Sequence, residues 1–95
     1  MAAYMIADIT IHNPEVFAEY RAQVPATIAK YGGRYLARGG AHEVLEGDWR
    51  PSRLIVLEFP SMAAAKAWYG SPEYAPLIKL RQRASTGPLV LVEGA

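Results

Sequence analysis

Residues 50–61 read RPSRLIVLEFPS. Leu54, Ile55, Val56, Leu57 and Phe59 are branched or aromatic apolar residues, the composition of a strand, and Glu58 is their one polar interruption. Alternation along a strand puts Ile55, Leu57 and Phe59 on one face and Leu54, Val56 and Glu58 on the other. Pro60 ends the strand because it cannot continue a ladder, and Ser61 is a cap for a helix over MAAAKAWY, Met62–Tyr69. The stretch is therefore a strand feeding a helix, with one carboxylate on the face turned away from it.

The same reading extends in both directions. Tyr4 to Ile11 alternates as a first strand, with Met5, Ala7, Ile9 and Ile11 on one face and Tyr4, Ile6, Asp8 and Thr10 on the other. Asn13 and Pro14 are a cap and first-turn pair. They open a helix whose stripe is Phe17, Tyr20, Val24, Ile28 and Tyr31. Pro25 lies inside that stripe and predicts a kink. Gly32 and Gly33 end the helix, Arg34 to Arg38 forms a second strand, and Gly39 and Gly40 loosen or bulge it before a short extended piece, His42 to Glu46. In that strand Arg34, Leu36 and Arg38 are expected on one face, opposed to Tyr35 and Ala37. After Tyr69, Gly70 breaks the helix, Ser71 and Pro72 restart it through Tyr74, Leu77 and Ile78, and Leu89 to Val92 is the last strand.

The order β-α-β-β-α-β predicts an α+β, ferredoxin-like sandwich: one domain over residues 1–95, a four-stranded antiparallel sheet with helices on one face. The uniformly apolar faces of the first and third strands meet those helices. The other sheet face carries Ile6, Leu54 and Val56, which water does not require, together with Asp8 and Glu58. A homodimer through these sheet faces covers the apolar part and leaves a partly polar cavity.

Composition narrows the function. The chain is 52% hydrophobic and 20% charged, an apolar share that suits burial against a partner. Ten basic residues against nine acidic ones form no basic block, which argues against nucleic acid. The absence of cysteine removes disulfides, thiol nucleophiles and thiolate metal sites. His12 and His42 stand thirty positions apart without metal-ligand spacing, so neither metal nor cofactor is expected. No long apolar run suggests a membrane span and the amino terminus does not resemble a signal peptide, which leaves a cytoplasmic protein as the expectation.

Five groups carry the candidate chemistry. Glu58 and Asp8 on one sheet face can share a proton in a low-dielectric pocket, which would raise one pKa and create an acid–base group. Alternatively, Glu58 pairs with Arg38 or Arg53 and organises the dimer. His42 is a candidate general base, or a solvated loop residue. Arg38 can grip a carboxylate or enolate with its planar fork, or form an interchain ion pair. Trp68, Tyr69 and Tyr74 can line a pocket mouth for a planar ligand, or pack helix to sheet. Arg81 is expected to pin a carboxylate or a loop carbonyl.

Three segments, YGGRYLARGG (31–40), EGDWRPSRLIVLEFPS (46–61) and AKAWYGSPEYAPLIKLR (65–81), together resemble the family catalogued as domain of unknown function 1330 across essentially the whole chain. The resemblance implies a ferredoxin-like fold assembling as a dimeric α+β barrel. That superfamily holds cofactor-independent quinol monooxygenases, muconolactone isomerases and haem-dependent chlorite dismutases. Residues it marks as recurrent fall here on Tyr35, Arg38, Glu46, Gly47, Arg53, Glu58, Phe59, Trp68, Tyr69, Tyr74 and Arg81. Tyr35 and Arg53 thereby join Arg38, Trp68 and Tyr74 as ligand-binding candidates, beside Glu58, His42 and Asp8 as catalytic ones. Three functions compete: a cofactor-independent oxygenase or isomerase acting on a small aromatic, enolic or acidic metabolite, a binding dimer, and a purely structural dimer.

Overall fold

The computed structural model describes residues 1–95. Its main sheet has four antiparallel strands, β1 (Ala3–Asp8), β3 (Arg34–Arg38), β4 (Leu54–Phe59) and β6 (Leu89–Glu93), in the spatial order β3-β4-β1-β6. Helices α1 (Pro14–Lys30), α2 (Met62–Tyr69) and α3 (Ala75–Ala84) cover one face, giving the α+β ferredoxin-like arrangement the sequence predicts. None of the helices is long and apolar enough to cross a membrane.

The first strand is shorter than its alternation suggests. Regular pairing in the main sheet stops at Asp8, and the chain then turns at Ile9, whose amide donates to the Arg53 carbonyl at 2.9 Å. The remainder, β2 (Thr10–Ile11), pairs instead with β5 (Ser85–Thr86) in a separate two-stranded ladder. His42 to Glu46, expected as a short extended piece, adopts no strand; residues 41–50 are an exposed loop.

Local signals explain the helices. The Asn13 side chain accepts from the Val16 amide at 3.2 Å with Pro14 behind it, and α1 continues unbroken through Pro25 to Lys30. Ser61 accepts from the Ala64 amide at 3.1 Å and starts α2. Ser71 performs the same service for the turn that leads into α3, accepting from the Tyr74 amide at 3.1 Å. Gly33 has a steric reason: a Cβ there would run into the Phe59 ring and Ile28, so glycine lets the end of α1 sit directly on β4.

The core lies between helices and sheet. Met5, Ala7, Leu57 and Phe59 from the strands meet Phe17, Val24 and Ile28 of α1 and Ala65 and Trp68 of α2. The molecule is only 17 Å through its shortest axis, two layers thick, and the outer face of the sheet has no covering element.

Candidate functional site

The two expected carboxylates lie apart from each other. Strand register pairs Asp8 with Leu54 and Tyr4 with Glu58, so the two carboxylates stand four positions apart, about 13 Å at the usual strand rise. They share no proton. Asp8 instead accepts from the Trp49 indole at 2.9 Å, the Ser52 amide at 2.9 Å and the Arg53 amide at 3.4 Å. These hydrogen bonds, the Trp49 indole's foremost, hold its carboxyl below the ordinary range. Glu58 accepts from Arg34, its cross-strand neighbour, at 2.7 Å, rather than from Arg38 or Arg53. His42 sits in the exposed loop, its Nε2 at 3.0 Å from the Pro51 carbonyl.

Arg38 is on the other side of the sheet from Glu58, against the expectation from alternation. The cause is a bulge in β3: Tyr35 pairs with Leu57 and Arg38 with Ile55, while the register shifts between Tyr35 and Ala37. The extra residue reverses the parity after Leu36, so Arg38 joins Tyr35 on the helix-facing side. There its guanidinium lies over the Tyr35 ring, 4.4 Å from the centroid.

This face holds a recess between α1 and the β3–β4 half of the sheet. Phe17, Tyr20, Val24 and Ile28 line it from α1, Tyr35, Ile55 and Leu57 from the strands, and Arg21, Arg38 and Arg53 supply its charge. It is a narrow cleft that opens to solvent, about 380 Å³ out to its mouth. A slim ligand can enter it from that side.

Three arginines converge here without a carboxylate. The ion pairs of the chain are Lys30–Glu73 and Arg34–Glu58, neither of them in the recess. Burial, and then the positive charges of Arg21 and Arg38, depress the Arg53 pKa. The Arg53 Nε is buried and has no hydrogen-bond acceptor, a costly state for a charged donor. Gly39 makes the arrangement sterically possible. Its φ is +72°, and a Cβ at that position would overlap the Arg53 guanidinium.

Trp68 and Tyr74 do not line this recess; they are core residues, 2% and 0% exposed, with rings stacked at 4.0 Å. The indole of Trp68 donates to Thr27 at 3.0 Å. Tyr74 touches the recess through one intermediary, since its hydroxyl lies 2.8 Å from that of Tyr20. Arg81, expected on a carboxylate or carbonyl, donates to the Tyr74 hydroxyl at 3.3 Å. Sequence reasoning missed Tyr20 and Arg21 as site residues. The available signal was Arg21 at the i+4 position from Phe17, a charge flanking an otherwise apolar stripe.

A family model described as a domain of unknown function (DUF1330) matches residues 2–95. Among solved structures, the protein of unknown function RPA0582 from Rhodopseudomonas palustris superposes with a TM-score of 0.79 at 20% identity, over 99% of this chain and 82% of that one. SnoaB, a cofactor-independent oxygenase from Streptomyces nogalater, gives 0.69 at 16% identity over 99% and 93% of the two chains. A dimeric ferredoxin-like protein of unknown function from Jannaschia sp. CCS1 gives 0.68 at 14% identity over 100% and 99%. At these identities the likeness is one of fold. Comparison with curated proteins returns no match.

Proposed function

The chain belongs to the family described as a domain of unknown function (DUF1330), and within that frame we propose that it is a homodimer that binds a small organic acid, as carboxylate or enolate, in the recess under α1. The observation that carries this reading is the arginine trio: Arg21, Arg38 and a partly buried Arg53 face a recess without a carboxylate, and Arg53 Nε lacks an acceptor. An anion supplies the missing acceptor and offsets the mutual repulsion of the three cations; planar guanidinium forks match a carboxylate's two oxygens. The apolar wall of Phe17, Val24 and Ile28 suits a hydrocarbon body behind that head group. The groups lining the recess are cations, phenols and hydrocarbon, while Asp8, His42 and Glu58 lie elsewhere, which favours binding over base-driven turnover.

Titration with pentanoate, followed by arginine Nε–H resonances in 1H–15N spectra, tests the reading. Wild type is expected to show saturable shifts, and Arg53→Gln to weaken binding about tenfold, the scale of one charge-assisted hydrogen bond. Absence of saturation, or equal affinity in the variant, would overturn it.

A second reading is supported by the fold shared with the oxygenase SnoaB. An acidic enol that gives its proton to water at the mouth is held as its enolate against three guanidiniums, and the enolate passes one electron to dioxygen, giving superoxide and a substrate radical without a bound metal. Oxygen uptake on addition of candidate enols and hydroquinones, lost in Arg38→Gln, would favour this reading over binding alone.

A further inference from the structure

The hydroxyls of Tyr20 and Tyr74 form a pair with an unequal count of donors and acceptors. They lie 2.8 Å apart, and the Arg81 guanidinium, a donor under all ordinary conditions, points Nη1 at the Tyr74 oxygen from 3.3 Å. The two phenols carry two hydroxyl hydrogens. One is used between them, and Arg81 accepts nothing. No other side-chain or backbone acceptor reaches either oxygen, so one hydroxyl hydrogen of the pair is left over in a buried setting. Burial holds both phenols above their ordinary pKa, so both remain protonated donors.

Arg81 decides which hydrogen is free. By donating to the Tyr74 oxygen it strengthens Tyr74 as a donor and weakens it as a second acceptor, because hydrogen bonds in a chain polarise one another. The favoured direction is therefore Arg81 to Tyr74 to Tyr20, which leaves the Tyr20 hydrogen unused. Tyr20 is 8% exposed and is the member of the pair that lines the recess.

We propose that the Tyr20 hydroxyl is a specificity-determining donor, and that the ligand is a short acid carrying a second, uncharged acceptor oxygen, such as a keto acid or an acyclic lactone precursor. This rests on the anion-binding reading above and adds a second point of recognition: the acid group meets Arg21, Arg38 and Arg53, and the carbonyl oxygen meets the wall toward α3. A plain fatty acid satisfies the first and leaves the Tyr20 hydrogen unused, which is the basis of discrimination.

Pentanoate and 4-oxopentanoate differ by one ketone oxygen and test this directly by calorimetric or resonance titration. Wild type is expected to bind the oxo acid about fivefold more tightly, the worth of one neutral hydrogen bond. Tyr20→Phe is expected to erase that preference, the two acids then binding equally. Tyr74→Phe, which leaves the Tyr20 hydroxyl in place, is expected to keep a reduced preference. Arg53→Gln is expected to weaken both acids about equally and to preserve the ratio. Equal binding of the two acids by wild type, or a preference that survives Tyr20→Phe, overturns the role of Tyr20. In either case Arg53-dependent binding of pentanoate leaves the anion site standing. Failure of wild type to bind either acid overturns both.

Discussion

A carboxylate that accepts three hydrogen bonds is worth most to a fold while it stays ionised, and Asp8 is in that position. Its partners, the Trp49 indole and the Ser52 and Arg53 amides, all belong to the end of the loop before β4, so one side chain ties that loop to β1. The tie also bears on the site, because Arg53, immediately before β4, has its amide on Asp8 and its guanidinium in the recess. The Asp8 pKa is lowered in the fold from an unperturbed 3.8. Its stabilising contribution is therefore complete above that value and is lost as pH falls through the lower, folded one. Acid titration followed by tryptophan fluorescence is expected to show Trp49 released below pH 3.8, with Trp68 unchanged in its core setting. In Asp8→Ala the released signal should already be present at neutral pH. A Trp49 signal that is indifferent to both changes would mean the loop is held by other contacts.

Elements show where sequence reading succeeds and where it stops. The caps at Asn13 and Ser61 and the alternation of β4 were legible because each depends on neighbours within four residues. The face on which Arg38 emerges was not, because the β3 bulge is marked by no glycine or proline; Leu36, at its centre, is an ordinary strand residue. The double glycine that suggested a bulge lies just beyond it, where Gly39 accommodates the Arg53 guanidinium. A one-residue slip in β3 thus moves Arg38, a ligand candidate from the sequence, from the expected outer face to the helix-facing one, and no local pattern encodes it. Likewise, β1 ends at Asp8 because of bonds to residues more than forty positions away. Pro25 is a local matter with a clear expectation. It sits inside α1 and cannot donate to the Arg21 carbonyl, so the helix is one bond short near the recess mouth. Pro25→Ala restores the donor and is expected to raise the stability to chemical denaturation by about 1–3 kcal/mol. No gain would mean that α1 is already bent by its contacts with the sheet.

At the scale of the whole molecule, the two faces of the sheet carry separate tasks. The inner face holds the core and the arginine recess; the outer face carries a row in which Ile6 stands between Val56 and Val90, with Tyr4 beside Val92. Leu36, Val90 and Val92 are 48%, 56% and 45% exposed, on a sheet face without a covering layer. The proposed homodimer would set a second copy of the chain on this apolar surface, matching it with itself around a two-fold axis. Native mass spectrometry at micromolar concentration is expected to give twice the 10.4 kDa chain mass. Ile6→Lys, which sets a charge in the middle of the row, should give a monomer with an unchanged far-ultraviolet dichroism spectrum. All three arginines of the recess come from one chain and lie on the side of the sheet opposite this row. The Ile6→Lys monomer is therefore expected to bind pentanoate within about twofold of the dimer, since no pairwise contact joins the two regions. Loss of binding on dissociation would instead place part of the acid site between subunits, and a wild-type mass of 10.4 kDa would remove the dimer altogether.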